Sequence, residues 1–363
     1  MRYEAGKEYE LKRYPEVYFS PVYTREEREA SYNAGVIMNN TNACSMKGYE
    51  ISPVWEDEII NDKGEITGTE HGTDQEIGTQ SVKLTYKELK AKPNTLAGLG
   101  ALVMGAITST QDGAVIAYKH KITPVAVGTA IPSIRAEHKK GGLQYVYDGL
   151  KGNSIRITGE AGGYASVDCE LIGSGTRAIS STNFAATIIE SWLKLSNCKV
   201  WMESGAEISI SAALAQGAED ISSATPDDLK ARIKSFDWAF LNNLEKQIGF
   251  GGAGIAQDID YARRTVELKF TLLFADATEL DLFLNQTPIA IEFDLKGALI
   301  AAGGTMYYGF QLVIPRFKIK SAPLATGGVG DILTVDIDCD VEDDGTNPVS
   351  ILEVYNAKSA YLA

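Results

Sequence analysis

The segment TVELKFTLLF, residues 265–274, alternates apolar and polar side chains along its whole length. Such period-two alternation is typical of an antiparallel strand with one face buried and the other in water. The buried face is expected to carry Val266, Leu268, Phe270, Leu272 and Phe274. Residues 332–341 (ILTVDIDCDV) alternate in the same way, with aspartates on the outer face, and residues 288–295 are expected to form a third half-buried strand. These patterns predict a mainly β protein.

Three segments of the first half of the chain recur, in the same order, in the second half. The matching pairs are SVKLTY (81–86) with TVELKF (265–270), YVYDGLKGNSIRI (145–157) with YYGFQLVIPRFKI (307–319), and VDCEL (167–171) with IDCDV (337–341). The spacing between partners differs from pair to pair, as expected where connecting loops accept insertions. The shared order predicts two tandem β-sandwich or barrel modules produced by duplication.

The junction between the modules is expected in GSGTRAISSTN, residues 173–183, because small and polar residues are typical of a linker. The first module then covers residues 1–175, within which 1–55 have no assignment, and the second covers 176–363. Each module is expected to carry a short helix after its alternating strand, which is 81–86 in the first module and 265–274 in the second. The first helix follows Pro93, and the second, at 277–285, follows a capping-box pattern. A third helix is predicted at 227–233.

Composition argues against several functions. The net charge is −14, which disfavours tight binding to nucleic acid, because that needs phosphate neutralisation by Lys and Arg. The chain contains no run of about 18 apolar residues, so no membrane partner is expected. Its first residues, MRYEAGKEYELKRYPEVYF, lack the apolar region of a secretory signal, which favours synthesis in a cytoplasm.

The residues that usually carry chemistry are few and scattered. Histidines occur only at positions 71, 120 and 138, without metal-ligand spacing. The four cysteines, Cys44, Cys169, Cys198 and Cys339, show no CxxC spacing and are expected to be buried free thiols. No nucleophile elbow or phosphate-binding loop is present. The sequence therefore predicts no catalytic residue, cofactor or metal site.

A long segment precedes each of the two alternating strands that begin at Ser81 and Thr265. These segments are residues 56–80 and 242–262. Loops longer than about 12–15 residues are usually either functional or disordered. Their recurrence at matching places favours a function.

A family resemblance emerges from the second half. The segments FDWAFLNNLEKQIG (236–249), YARRTVELKFTLLF (261–274) and DATELDLFLNQT (276–287) resemble tail tube proteins of long-tailed bacteriophages, and so do IEFDL, YYGFQLVIPRFKI and ILTVDIDCDVEDDG further on. In the first half, residues 131–175 are similar to the same family. The resemblance covers 78–175 and 235–354, and it rests on a pattern of strands.

What the resemblance implies is a β-sandwich flanked by a helix, of which six copies form a ring whose inner strands join into a barrel. Rings stack into a tube in the virion tail, long loops reach the neighbouring ring, and DNA passes transiently through the lumen. Other tail proteins (tape measure, terminator, baseplate or sheath) are the further partners implied. The duplication departs from this pattern, and it suggests that three chains form a pseudo-hexameric ring.

Two sets of residues are candidates for this function. Acidic strand faces would repel phosphates and let DNA slide, so the candidate lumen residues are Asp168, Glu170, Asp336 and Asp338. The candidate inter-ring loop residues are Glu56, Asp62, Glu70, Asp74, Gly249, Gly251, Gly252 and Gly254. The alternative is a β-rich binding module, such as a capsid decoration protein, a baseplate protein or a carbohydrate-binding adhesin. Tubes or stacked rings would favour the first function, and persistent monomers the second.

Overall fold

A computed structural model gives the fold of this protein. It describes residues 22–36, 43–48, 50–61, 75–140, 143–180, 190–205, 209–210, 216, 218, 220–222, 227–228, 232–250, 254–274, 278–323 and 333–361. Of the candidate loop residues, Asp62, Glu70, Asp74, Gly251 and Gly252 lie outside these ranges.

The described chain is built mainly of β-strands. In the first half they are β1 (Val22–Arg28), β2 (Cys44–Gly48), β3 (Ile51–Trp55), β4 (Ile59–Asn61), β5 (Gln75–Ile77), β6 (Val82–Lys90), β7 (Gly105–Gln111), β8 (Tyr118–Pro124), β9 (Ile134–Lys140), β10 (Leu143–Glu160), β11 (Ser166–Gly173) and β12 (Arg177–Ile179). In the second half they are β13 (Cys198–Ser204), β14 (Ser209–Ile210), β15 (Ile221–Ser222), β16 (Asp227–Asp228), β17 (Ile233–Leu241), β18 (Leu244–Gln247), β19 (Asp258–Tyr261), β20 (Thr265–Leu273), β21 (Ile289–Leu299), β22 (Tyr307–Ser321), β23 (Thr334–Val341) and β24 (Ile351–Asn356). The helices are α1 (Pro93–Met104) and α2 (Thr278–Leu284), with a 3-10 turn at Leu195–Asn197. The prediction of a mainly β protein is confirmed.

Most strands join one large antiparallel sheet. Its centre is a row of eight strands in the order β3, β6, β11, second half of β10, β17, β20, β23 and end of β22, which we call the eight-strand row. The first half of β10 leaves this row and pairs with β9 and β12, and β9 continues to β1 and β2. Likewise β22 pairs with β21 and β24 before it joins the row, and β24 continues to β8 and β7.

The alternating segments form strands as predicted. In β20 and β23, the buried positions are Leu268, Phe270, Leu272, Val335, Ile337 and Cys339. Together with the apolar positions of the other strands they form one contiguous core that covers both halves of the chain. Burial of this alternating apolar surface is what selects the strand register, because a slip of one residue would turn every apolar side chain to water.

Helix α1 lies inside this core, with all of its residues buried. The glycines that weaken its helix propensity are required by packing, because a Cβ at Gly98 would overlap the Cys44 sulfur. Helix α2 confirms the second predicted helix. The third predicted helix, at 227–233, is wrong: Asp227 and Asp228 form β16 against β13, and Ile233 begins β17.

Two further expectations differ from the structure. Strand β21 was expected to bury one face, but the whole stretch from Ile289 to Leu295 is buried, because Asp220 and Gln311 cover Glu292 on its second face. The segment expected to be a linker is partly ordered into the sheet, since β12 pairs with β10. The four cysteines are free thiols as expected, and Cys198 is half-buried while the others are buried. No helix among the described residues is long and apolar enough to cross a membrane.

Candidate functional site: a polar sheet face and two open edges

The eight-strand row has one face in the core and one polar face. The polar face carries Lys83, Thr85, Ser154, Arg156, Thr158, Asp168, Glu170, Asp237, Glu267, Lys269, Thr271, Lys318, Asp336, Asp338 and Asp340. Strand alternation places them there, because most of these residues are flanked by side chains that point into the core. The four candidate lumen residues therefore lie on one continuous surface, although they come from different halves of the chain.

Each candidate lumen residue has a partner on or beside this face. The Lys83 ammonium lies 2.5 Å from Glu170, and the Lys269 ammonium lies 3.9 Å from Asp338. Asp336 accepts a 2.8 Å hydrogen bond from the Thr271 hydroxyl. Asp168 accepts a 2.6 Å hydrogen bond from the backbone N–H of Glu88. All four carboxylates therefore have a polar or charged neighbour in this sheet.

The polar face is mixed in charge, which the sequence pattern did not indicate. It carries seven carboxylates and four cationic side chains, Lys83, Arg156, Lys269 and Lys318, so acidic groups remain in excess. Arg156 donates a 2.7 Å hydrogen bond to Asp237 across the junction of the two halves. This hydrogen bond raises the pKa of Arg156 above its ordinary value. Cross-strand pairs of this kind were missed because the order of the strands in the sheet is not visible in the sequence.

The two long segments form hairpins at matching places. The first contains β4 and β5, and the second contains β18 and β19. Glu56 and Gly249 are exposed. The carbonyl of Gly254 accepts a 2.8 Å hydrogen bond from the backbone N–H of Gln80, so the two candidate loop segments touch at this point. Gly254 has φ +75°, a conformation that favours glycine.

The second hairpin is docked on the first half of the chain. The Lys151 ammonium, on β10, donates hydrogen bonds of 2.7 Å to the Asp258 carboxylate and 2.6 Å to the Ile259 carbonyl. Next to the hairpin, the Arg264 guanidinium donates a 2.7 Å hydrogen bond to the carbonyl of Val125. These contacts join one half of the chain to the other, so the two halves share an interface with specific hydrogen bonds.

That interface is centred on a strand junction. The second half of β10 pairs with β17 over seven residues, from Ser154 opposite Leu241 to Glu160 opposite Ser235. At its centre Trp238 is fully buried, and Phe240 is 1% exposed. We call this the internal junction.

The two ends of the eight-strand row are open edges. Among the described strands β3 pairs only with β6, and beyond Phe317 the strand β22 pairs only with β23. Apolar side chains are exposed along the first edge, where Val54 is 45% and Trp55 is 46% exposed. An edge strand with exposed apolar side chains is a ready site for pairing with another chain.

Two open edges and a continuous polar face are features of a structural protein that can assemble with copies of itself. The sequence profile of the phage tail tube protein family matches residues 56–341, and the chain belongs to this family. Comparison with curated proteins gave no match.

Membership in this family confirms three predictions. The chain is a tail tube protein, it is a structural subunit of the virion tail, and it is not an enzyme. The family also implies polymerisation of the subunit and association with other tail proteins.

Proposed function

We propose that three copies of this chain form each ring of the tail tube, with the two halves of a chain acting as successive subunits. The observation that carries the proposal is the register of β3 and β17 against their neighbours. Ile51 lies opposite Tyr86 and Trp55 opposite Val82, while Phe236 lies opposite Phe270 and Phe240 opposite Val266. In the sequence repeat Tyr86 corresponds to Phe270 and Val82 to Val266, so β3 and β17 occupy the same position in the two halves.

The remaining strand pairs support the same correspondence. In the first half β11 pairs with β6 and β10, and β10 also pairs with β9 and β12. In the second half β23 pairs with β20 and β22, and β22 also pairs with β21 and β24. The partners of Cys339 are Leu268 and Ile319, two residues from those that the repeat predicts. At Cys339 this two-residue shift keeps the side chains on the same face, because side-chain direction alternates with a period of two.

The size of the resulting barrel supports three chains. Each chain contributes eight strands, so three chains contribute about 24, and at a spacing of about 4.8 Å with a tilt of 35–45° this gives a barrel roughly 50 Å across. Such a barrel leaves a wide lumen once side chains are added. Six chains would give a barrel roughly 100 Å across.

The polar face is the surface that we assign to the lumen. Its excess of carboxylates repels phosphates, and its interleaved cations limit that repulsion, so passing DNA would meet a surface that neither holds nor strongly excludes it. Asp168, Glu170, Asp336 and Asp338 are the lumen residues in this arrangement. A cryo-EM map of the tube tests the assignment: density for these four side chains on the outer wall would contradict it.

We assign contacts between stacked rings to the two hairpin segments that contain Glu56, Asp62, Glu70 and Asp74, and Gly249 to Gly254. At the tube ends the same surfaces would meet the other tail proteins, such as the tape measure, terminator, baseplate or sheath proteins. Replacing residues 62–74 or 251–253 by a short Gly-Ser segment is expected to leave folded rings that no longer stack. Normal tubes from both variants would contradict this role.

Overexpression of the full chain followed by negative-stain microscopy tests the proposed function as a whole. Hollow tubes or stacked rings are the expected result. Persistent monomers at concentrations well above those used for microscopy would contradict it. Size-exclusion chromatography of the same sample separates monomers from rings that have not stacked.

A further inference from the structure

We propose that the ring closes by antiparallel pairing of β3 of one copy with the end of β22 of the next copy, with Val54 opposite Lys318, Pro53 opposite Ile319 and Ser52 opposite Lys320. The occupant of each open edge is thus a second copy of this chain. This inference rests on the proposed function and adds the strands and the register that join the copies.

The internal junction supplies the register. There Arg156 lies opposite Ala239, Ile157 opposite Trp238 and Thr158 opposite Asp237. The shared register against β6 and β20 makes Ser52, Pro53 and Val54 the counterparts of Asp237, Trp238 and Ala239. The sequence repeat makes Lys318 and Ile319 the counterparts of Arg156 and Ile157, and Lys320 follows as the counterpart of Thr158. Substituting the counterparts into the internal junction gives the proposed pairs.

The backbone of β3 is oriented for this pairing. In the internal junction, Ala161 donates to the Lys234 carbonyl and Asn242 donates to the Asn153 carbonyl, each at 2.7 Å. Lys234 and Asn242 therefore face β10, and alternate residues such as Trp238 face it too. In β3, the carbonyl of Glu50 accepts from Lys87 and the N–H of Glu56 donates to Ser81, so both face β6. The backbone polar groups of Ile51, Pro53 and Trp55 therefore point toward the open edge, just as those of Trp238 point toward β10.

The end of β22 presents the complementary side. The backbone carbonyl of Arg316 accepts a 3.1 Å hydrogen bond from the backbone N–H of Glu342, which directly follows β23. The backbone groups of Arg316 therefore point toward β23, and by alternation those of Ile319 point toward the open edge. Strand β21 pairs with β22 as far as Phe317, and from Lys318 onward no described strand pairs with β22 on the side away from β23.

Pro53 offers a carbonyl but no N–H, so it can accept from Ile319 and cannot donate back. The Ile319 carbonyl already accepts a long hydrogen bond of 3.4 Å from the Gln286 side chain. Pro53 cannot donate to the Ile319 carbonyl, but that carbonyl already has a donor in its own chain. A proline at this position also hinders pairing of β3 with unrelated strands, which protects the free subunit from aggregation.

Charge favours contact between the two different edges. Glu50 and Glu56 are exposed on either side of β3, whereas Lys318 and Lys320 lie on the open part of β22. Like charges disfavour pairing of β3 with β3 or of β22 with β22, and opposite charges favour the mixed pair. A contact between two different edges is heterologous, and it forms a ring when the rotation closes.

Disulfide cross-linking of the full chain tests the register. Val54 and Lys318 would form a non-hydrogen-bonded antiparallel pair, whose Cα atoms are about 4.5 Å apart and within reach of a disulfide. The variant V54C/K318C is compared with S52C/K318C, in which the two positions are diagonal and about 7–8 Å apart. R156C/A239C places the same pair in the internal junction and is expected to form an intramolecular disulfide. S52C/K320C provides a second matched pair that leaves Lys318 in contact with Glu342.

On non-reducing gels the two matched pairs are expected to give covalent oligomers at least about tenfold more abundant than the diagonal pair. Rings in the microscope with no cross-linking of either matched pair, or equal cross-linking of the diagonal pair, would overturn the register while leaving the proposed function intact. Absence of rings from the unmodified chain would overturn both. A covalent ladder that ends at three supports three chains per ring, and one that ends at six supports the pairing while contradicting the three-chain ring.

Discussion

Strands β3 and β17, which we propose to be counterparts in the two halves, differ in exposure: β3 is an open edge and β17 is buried. Both hold the same register against the next strand of their own half. On the other side β17 meets β10, whereas β3 meets no described strand. At matching positions Phe240 is 1% exposed and Trp55 is 46% exposed. In the proposed ring, β17 is covered within its own chain, whereas β3 is covered by another copy.

The side chains of β3 and β17 differ as expected for an exposed edge strand and a covered strand. The internal junction has Trp238 at its centre, while the open edge has Pro53 there. The open edge is flanked by Glu50 and Glu56, while the matching positions in β17 are Ser235 and Leu241. Proline and charge are the usual means by which an exposed edge avoids wrong partners. A permanently covered strand has no need of them.

The largest expected difference between the two strands concerns stability. Truncating Phe240 to Ala removes a buried aromatic from the core and is expected to lower the free energy of unfolding by about 3–5 kcal/mol. Truncating Trp55 to Ala is expected to cost the isolated subunit less than about 1 kcal/mol, because the side chain is half exposed. Urea unfolding measures both. Assembly should respond in the opposite way, with Trp55→Ala weakening rings. Equal destabilisation of the subunit by the two variants would contradict the expected difference between β17 and β3.

A second difference lies at another matched pair, Tyr86 and Phe270. The Tyr86 hydroxyl donates a 2.6 Å hydrogen bond to Glu26, which is fully buried. Burial raises the pKa of Glu26 to about 7, and the Tyr86 hydrogen bond only partly opposes this. A carboxyl group with a raised pKa contributes stability that is present below its unfolded pKa and is lost as the pH rises through about 7.

We therefore expect Glu26→Gln to gain stability relative to the native chain between pH 5 and pH 8, by about 2–3 kcal/mol. Chemical denaturation at the two pH values measures this change. Glu137→Gln is the matched control, because Glu137 is buried in a 2.6 Å ion pair with Arg25 and its loss should destabilise the subunit at both pH values. An unchanged pH dependence in Glu26→Gln would contradict the role given to Glu26.

The docked hairpin provides a smaller test. Asp258→Asn removes the carboxylate that pairs with the buried ammonium of Lys151 and is expected to cost about 1–2 kcal/mol, because Asp258 is partly exposed. Glu76 lies on the corresponding hairpin of the first half and is exposed, so Glu76→Gln should leave the stability of the free subunit unchanged. Thermal unfolding compares the two. A similar loss in both variants would mean that the two hairpins contribute equally to the subunit.

The smallest effect is expected on the polar face. Asp338→Asn breaks a contact of 3.9 Å with Lys269 that is open to water, and such ion pairs contribute less than about 1 kcal/mol. Its consequence should appear in the assembled tube, where removing carboxylates raises the retention of DNA. Retention is measured with labelled duplex at low and high salt, and a loss of stability above 1 kcal/mol would show that Asp338 has a structural role instead.

Much of this architecture follows from the sequence. Alternation identified β20 and β23, and the segments of the proposed repeat all lie on strands of the sheet. The sequence did not reveal which strands are neighbours, so the cations Lys83 and Lys269 beside the acidic residues were missed. Nor could alternation reveal that β21 is covered on both faces, since Glu292 and Asp294 look like solvent-facing positions. The helix predicted at 227–233 failed because Asp227 and Asp228 pair with β13, a tertiary contact that overrides local propensity.

The number of chains in one ring decides whether the two halves of a chain act as successive subunits. End-on cryo-EM of assembled tubes resolves both the number of chains and the width of the barrel. We expect three chains per ring, with six similar units and a barrel roughly 50 Å across. Six chains per ring, in a barrel roughly 100 Å across, would contradict the claim that the two halves of the chain act as successive subunits.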